Sequence, residues 1–335
     1  MRPIETTSAA ALDSLPPLQV SYAEGTADDL LAEPGILALI GFGQVQGDPD
    51  DPRFVRVGLE PTEPGRFEVW RGSRPVRCGR SGALRWSSDG NYLFYAIEID
   101  ETAVGGIEAA AEQAYAAVCQ LIATHRFADG GPGHILRLWN YMDAINEGSG
   151  DDERYRHFCC GRARGLDPAA RNGYSAATAI GRRDGKRVLQ VYGLAAREEG
   201  VAVENPRQIS AWSYPRQYGP VAPTFARATR TPAGQLLVSG TASVVGHQTQ
   251  HAGDTLAQLE ETLRNLDSLL GAAGPHIAAR GIKAALLKVY LREPAEAPAV
   301  EQHLRRHLAD PVGLLILLGD ICRSDLRIEI DGIQG

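Results

Sequence analysis

The feature that most constrains the fold is one order of strands and helices that occurs in both halves of the chain. In the second half, β-rich residues 235–245 precede a segment, 255–270, whose leucines recur at helical spacing. The pattern then predicts a strand over 282–291, a helix over 297–308, and two last strands over 313–321 and 326–330. The order is therefore β, α, β, α, β, β.

The first half repeats this order more loosely. Residues 84–99 read as two strands around an Asp-Gly-Asn turn, followed by an Ala-rich helix over 107–125 and a strand over 134–141. A helix over 151–162 comes next, and residues 175–181 and 187–193 read as a hairpin about Asp184-Gly185. We therefore predict an α+β fold of two fused units, over 1–196 and 205–335. Residues 197–206 are the expected linker, and residues 1–80 are expected to decorate the first unit.

Charge and composition exclude several classes of protein. Lys and Arg number 34 against 41 Asp and Glu, for a net charge of −7, and no basic patch indicates nucleic-acid binding. No apolar run approaches the roughly 18 residues of a membrane span, and residues 1–16 do not resemble a signal peptide. Five cysteines without periodic spacing argue against a disulfide framework. We expect a soluble cytoplasmic protein, a monomer or low homo-oligomer, that acts on a small molecule.

Motifs for cofactors and metals are weak. Residues 41–43 (GFG) superficially suggest a dinucleotide loop, but the acidic and Pro-rich residues 48–52 that follow repel phosphate and block a helix. His247 and His251 are four residues apart, yet they precede the predicted helix and do not lie on it. We expect neither a metal nor an organic cofactor.

Two segments combine arginine with tyrosine. Residues 205–227 hold Tyr214, Arg216 and Arg227 among four prolines, which suits either a rigid carboxylate-binding loop or a connector whose arginines pair with local acids. In the other segment, Tyr155 and Arg162 are seven residues apart and would share one helix face. The residues themselves favour a solvated helix surface for that second segment.

The last predicted strand, residues 326–330, alternates apolar and charged side chains. The pattern favours a half-exposed strand with Glu329 in water. The alternative places Glu329 in a cleft between the two units, where burial would raise its pKa and allow it to donate a proton. Cys322, seven residues earlier, could reach the same cleft.

The second half resembles the YjgF/RidA family. The similarity lies in residues 218–220 (YGP), 235–240 (QLLVSG), the helix 256–274, the strand 288–292 (KVYLR) and the ending 327–331 (RIEID). It implies the fold of the Bacillus-type chorismate mutase, with a mixed sheet, two helices on one face and a Glu at the place of Glu329. The Arg with which that family binds a carboxylate before the last two strands is missing, since residues 313–318 are apolar.

Longer motifs resemble one branch, the chorismatases. They are residues 137–141 (RLWNY), 153–158 (ERYRHF), 161–162 (GR), 205–208 (NPRQ), 214–220 (YPRQYGP), 239–247 (SGTASVVGH) and 319–323 (GDICR), together with Glu329. They span most of residues 80–335 in matching order. Two fused units would then form the cleft that separate subunits form in trimeric relatives.

The resemblance also implies roles for individual residues. The two carboxylates of chorismate would be held by Tyr155, Arg162, Tyr214 and Arg227, with Arg216 as a further candidate. Glu329 would protonate the enolpyruvyl methylene carbon, giving an oxocarbenium ion that loses pyruvate.

Gly240 and Cys322 bear on the product. Chorismatases that form 3-hydroxybenzoate resemble this chain in having that Gly and Cys pair, whereas those that hydrolyse chorismate to a dihydrodiol tend to have Ala and lack the Cys. The length and short N-terminus are most similar to a branch that releases both 3- and 4-hydroxybenzoate for pigment and ubiquinone biosynthesis. A dihydrodiol-forming hydrolase and a non-catalytic metabolite sensor are the alternatives.

Overall fold

A computed structural model describes residues 15–127, 129–166, 174–308 and 313–335. The prediction about a signal peptide concerns residues 1–16, and it lies almost entirely outside the described residues. No helix in the described ranges is both long and apolar enough to cross a membrane.

The N-terminal part forms a four-stranded sheet with one short helix. Its elements are β1 (Gln19–Ala23), α1 (Ala27–Ala32), β2 (Ile36–Phe42), β3 (Phe54–Val57), the short strand β4 (Glu60–Pro61) and β5 (Phe67–Arg71). The sheet order is β1-β5-β2-β3. Leu37, Val55 and Trp70 of this sheet belong to the central core, so the segment is more than the peripheral decoration that we expected.

The first repeated unit contains a large mixed sheet and two principal helices. Its elements are β6 (Arg77–Ser81), β7 (Leu84–Ser88), β8 (Tyr92–Asp100), α2 (Glu101–Val104), α3 (Ile107–Thr124), β9 (His134–Asp143), α4 (Arg154–Gly165), β10 (Ala176–Arg182) and β11 (Val188–Ala196). The helices α3 and α4 pack on one face of the sheet.

The second unit has the same plan. Its elements are β12 (Val201–Val203), β13 (Ala228–Arg230), β14 (Leu236–Ala242), β15 (Val244–Val245), β16 (Gln248–Thr249), α5 (Thr255–Ala272), α6 (Pro275–Arg280), β17 (Ala285–Leu291), α7 (Ala297–His307), β18 (Leu314–Leu318), β19 (Asp320–Ile321) and β20 (Ile328–Gln334). The helix α6 was not predicted from the sequence.

The strand orders confirm the α+β repeat. The order β7-β8-β11-β9-β10 in the first unit matches β13-β14-β20-β17-β18 in the second, and β9/β10 and β17/β18 are the parallel pairs. The units also exchange strands, because β19 joins the first sheet beside β10, and β4 joins the second beside β18.

The hairpin predicted about Asp184-Gly185 is wrong. β10 and β11 do not pair with each other, because β9 lies between them. The connection through α4 places β10 parallel to β9 on one side, and β11 returns antiparallel between β9 and β8. An Asp-Gly motif predicts that the chain reverses direction, but it does not predict which strands pair.

Alternate residues of each sheet face two different layers. Ile328 and Ile330 of β20 pack against the helices of the second unit, so Glu329 and Asp331 point to the opposite face, toward the first sheet. Lys288 and Tyr290 of β17 share that face, since they pair in register with Asp331 and Glu329. The layer between the two sheets therefore contains buried polar groups as well as apolar core.

Candidate active site

The two units meet where β10 of the first lies against β14 of the second, and a cavity opens at this junction. The amide N of Ala177 donates to Ser239 Oγ at 2.9 Å, and the amide N of Gly240 donates to Thr178 Oγ1 at 3.0 Å. The adjoining cavity has a volume of about 420 Å³, in the range of small-molecule sites. Strands β10, β14 and β20, helix α4 and two connecting segments contribute to its lining.

The structure brings the sequence-predicted site residues together. This cavity is lined by Tyr155, Arg162, Tyr214, Arg227, Gly240, Cys322 and Glu329. Arg216 is not among the lining residues: it lies on the surface and forms an ion pair with Asp151 at 2.5 Å. The alternative of an arginine paired with a local acid therefore holds for Arg216.

Glu329 is buried, with 4% of its surface exposed. The half-exposed strand that the alternating pattern favoured is wrong, because β20 is buried along its whole length between the second unit's helices and the first unit's sheet. Burial, followed by the nearby charge of Asp331, raises the pKa of Glu329 to about 8, although Arg137, Arg227 and Arg323 act in the opposite direction. Glu329 is therefore a neutral carboxylic acid at pH 7, able to donate a proton into the cavity.

Gly240 leaves the space that the Glu329 carboxyl occupies. A Cβ atom at position 240 would overlap Glu329 Oε1 and would lie 2.7 Å from its Cδ. The backbone of Gly240 does not have a positive φ, so the position requires glycine for space and not for conformation.

Arg162 is placed by the close packing of α4 on α3. Cβ atoms at Gly161 and Gly165 would overlap carbonyl oxygens of α3, so these two glycines allow the helices to approach. Arg162 is 4% exposed, donates to the Thr224 carbonyl at 2.9 Å, and lies 5.1 Å from the Tyr115 ring centroid. Its Nε has no hydrogen-bond partner within the described parts of the chain.

Arg227 is held by the connection between the units. Its Nη2 donates to the Ile209 carbonyl at 2.8 Å and to the Tyr214 hydroxyl at 2.7 Å, while its Nε has no hydrogen-bond partner among the described residues. Neither Arg162 nor Arg227 forms an ion pair with a carboxylate in those residues, unlike Arg216. Two buried guanidinium groups with unused donors suit an anionic ligand.

Cys322 lies partly buried and packs against both the central core between the sheets and the core of the first unit. Burial, followed by the charge of Glu329, raises the pKa of its thiol well above the usual range. Cys322 is therefore a neutral thiol at pH 7 and not a thiolate nucleophile.

Known proteins with similar sequences and folds identify the family. The family model "Chorismatase FkbO/Hyg5-like, N-terminal" matches residues 68–195. A 3-hydroxybenzoate synthase of Streptomyces hygroscopicus is 37% identical over 293 residues, which cover 82% of this chain and 83% of that protein. A chorismatase of Streptomyces rapamycinicus is 37% identical over 284 residues, covering 79% of this chain and 81% of the relative.

The chain belongs to the chorismatase family. A solved crystal structure of a chorismatase superposes on this structure with a TM-score of 0.82 and 31% sequence identity, covering 96% of this chain and 99% of the other. Membership identifies the chain as an enzyme of this family, which favours this interpretation over the metabolite sensor. This chorismatase has the α+β fold predicted from the sequence.

Arg323 is a residue of the chorismatase cavity that the sequence analysis did not assign a role. Its guanidinium lies 4.1 Å from the ring centroid of Tyr218 and 5.2 Å from that of Tyr214, and it donates to the His247 carbonyl at 2.8 Å. Its position in the GDICR motif, next to Cys322, could have identified it as a site residue. Thr178 of β10 was also missed, because no sequence motif distinguishes it from any other buried threonine in a strand.

In this chorismatase, no group of three His, Cys, Asp or Glu side chains in the described ranges is arranged to hold a metal. His247 Nδ1 lies 3.2 Å from the Tyr218 hydroxyl, whereas His251 Nε2 lies 3.5 Å from Glu261. The two histidines thus have different partners.

Proposed function

We propose that this chorismatase converts chorismate to 3-hydroxybenzoate, and also to 4-hydroxybenzoate, with release of pyruvate. The observation that carries the proposal is the buried Glu329 carboxyl, packed against Gly240, in a cavity whose Arg162 and Arg227 form no ion pair with any described carboxylate. A relative named 3-hydroxybenzoate synthase, 37% identical over most of both chains, supports the same product.

Arg162 and Arg227 would bind the two carboxylates of chorismate, with Tyr155 and Tyr214 beside them. The protein carries a net charge of −7, so a dianionic substrate has to be bound by locally placed cations. The Nε donors of Arg162 and Arg227 are buried and have no partner among the described residues, and hydrogen bonds from such donors to a carboxylate are strong. Arg323 adds a third cation at the same cavity.

Glu329 would act as the general acid. Its proton passes to the enolpyruvyl methylene carbon, whose π electrons form the new C–H bond and leave an oxocarbenium ion. The C4 hydroxyl oxygen then attacks C3 of the ring and its proton passes to the Glu329 carboxylate, which regenerates the acid. The C3–O ether bond breaks, and its electron pair completes the keto group of pyruvate. The resulting arene oxide opens to a phenol without consuming water. Which of its two C–O bonds breaks decides between the 3- and the 4-hydroxy isomer.

Gly240 and Cys322 would favour this internal displacement over hydrolysis. Gly240 allows the acid to lie directly at the cavity wall, and the neutral Cys322 thiol provides a weakly polar surface that water solvates poorly. In pigmented bacteria, the products would supply aryl-polyene pigment and ubiquinone biosynthesis.

A coupled assay tests the proposal. Purified protein is incubated with chorismate, pyruvate is followed through lactate dehydrogenase, and the aromatic products are separated by chromatography against both hydroxybenzoate standards. Equal amounts of pyruvate and total hydroxybenzoate are expected. A dihydrodiol as the main product would replace this proposal with the hydrolase, and a single hydroxybenzoate isomer would overturn the bifunctional part.

A further inference from the structure

A buried cluster of charges lies directly behind the cavity, between the two sheets. At its centre is Asp331, which is 1% exposed and two residues after Glu329 on β20. One carboxylate oxygen, Oδ2, accepts four hydrogen bonds, from Arg137 Nη2 at 3.1 Å, Trp139 Nε1 at 2.9 Å, Thr178 Oγ1 at 2.9 Å and Tyr290 OH at 2.9 Å. Four donors on one oxygen fix its position tightly.

Thr178 connects this cluster to the cavity wall. Its hydroxyl donates to Asp331 and accepts from the amide of Gly240 at 3.0 Å and from Arg137 Nη2 at 2.6 Å. The hydroxyl thereby ties the first unit to both strands of the second unit that form the site. The backbone at Gly240, against which the Glu329 carboxyl rests, is thus fixed by the same group that holds Asp331.

The charges of the cluster balance without Glu329. Lys288 Nζ lies 2.8 Å from Glu68 Oε2 and 3.9 Å from Asp331 Oδ1, and Arg137 pairs with Asp331. Two buried cations therefore face two buried carboxylates, Glu68 and Asp331. An ionised Glu329 would be an additional buried charge with no cation left in the cluster to compensate it.

We infer that Asp331 is a positioning residue of this active site: it holds the Glu329 and Gly240 strands in place through Thr178, and it occupies the cations that would otherwise ionise Glu329. This inference rests on the proposed role of Glu329 as the acid. Glu68, on β5 of the N-terminal sheet, neutralises Lys288 in this charge balance.

Charged and titratable groups from several elements surround the two carboxyls. Glu329 faces Asp331 on its own strand, Arg137 on β9, Arg227 before β13, Arg323 after β19, Tyr155 on α4 and Cys322. Asp331 faces Arg137, Lys288 with its partner Glu68, and four tyrosines, Tyr22, Tyr141, Tyr192 and Tyr290. Burial raises the pKa of each of these tyrosines and of the Cys322 thiol, so Glu329 is the group expected to titrate near pH 8.

The test is the pH profile of kcat/KM in Asp331→Asn. The substitution keeps the shape but leaves Arg137 and Lys288 with one excess positive charge, so the activity loss on the alkaline side should begin about one pH unit lower than in wild type. The matched control is the double variant Glu68→Gln/Lys288→Met, which removes a buried ion pair without changing the net charge. Its activity should fall on the alkaline side at the same pH as that of wild type. A control that shifts as far as Asp331→Asn would attribute the effect to loosened packing and overturn the inference.

Two further variants keep the test decisive if Asp331→Asn does not fold. Thr178→Val replaces the hydroxyl by a methyl group of similar size, so kcat should fall about tenfold. KM and the pH at which activity falls on the alkaline side should stay close to wild type. Thr178→Ser keeps a hydroxyl and should restore kcat. Unchanged kcat in Thr178→Val would contradict the positioning role. Wild-type protein that releases no pyruvate would instead disprove the proposed function, so the two failures are distinguishable.

Discussion

Gly240 and Glu329 come so close that position 240 has no space for a side chain: a Cβ there would lie 2.7 Å from Glu329 Cδ. Gly240→Ala should therefore displace the acid and lower kcat by about 100-fold, since a shift of about 1 Å at a reacting group has effects of that size. Stopped assays of pyruvate release measure it. Gly271→Ala is the matched control, because a Cβ there meets nothing within 4 Å, and wild-type kcat is expected. Wild-type kcat in Gly240→Ala would contradict the close contact.

Replacing the acid itself should separate binding from chemistry. Glu329→Gln keeps the size of the side chain but removes its transferable proton, and a general acid contributes about 10²- to 10⁴-fold to a rate. We expect kcat to fall by at least about 1000-fold, while the Kd for chorismate, measured by calorimetry, stays within a few-fold of wild type. A variant with near-wild-type turnover would show that another group donates the proton.

The pKa of Glu329 should also be visible in stability, without any turnover. Its pKa is raised from 4.5 to about 8 in the folded protein, so the folded state holds a proton that the unfolded state has released between these values. The stabilising contribution is complete below pH 4.5 and is lost as pH rises through about 8. Relative to Glu329→Gln, the wild-type free energy of unfolding should decline by about 1.4 kcal/mol per pH unit between these limits. Urea titrations from pH 5 to 9 measure this, and a pH-independent difference would mean that Glu329 is ionised when folded.

The sequence predicted the repeat, and residues that line one cavity, better than it predicted the surroundings of those residues. Helical spacing placed Tyr155 and Arg162 on one face because it reflects local geometry, and both residues line the cavity. The alternating pattern around Glu329 misled, because a strand that faces a polar interior layer has the same alternation as one that faces water. Pairing of β10 with β11 was mispredicted for a related reason, since strand order depends on contacts distant in sequence.

The arginines should control affinity more than rate. Arg227→Gln removes a buried charge that has no carboxylate partner in the described residues, and a hydrogen bond to a charged group is worth about 1.5–3 kcal/mol. KM for chorismate should therefore rise about 10- to 100-fold, with a smaller change in kcat. Arg216→Gln is the control from the same connecting segment, because Arg216 is exposed and paired with Asp151, and its KM should match wild type. Equal effects of the two variants would place the carboxylate site elsewhere.

Product choice should depend on Gly240 and Cys322 together. A methyl group at position 240 moves the acid away from the cavity wall, and Cys322→Ala removes a neutral thiol and leaves space beside it that water can enter. Water in that space competes with the ring hydroxyl for the carbon that loses pyruvate, so the double variant should form the dihydrodiol at the expense of both hydroxybenzoates.

Chromatography after complete conversion measures the ratio of dihydrodiol to hydroxybenzoates, so that a slower variant is compared at equal turnover. Cys78→Ala is the control, because Cys78 is exposed and is not among the cavity-lining residues. An unchanged hydroxybenzoate fraction in the double variant would mean that the fate of the cation is set by how the arginines orient the ring, and not by the wall that Gly240 and Cys322 form.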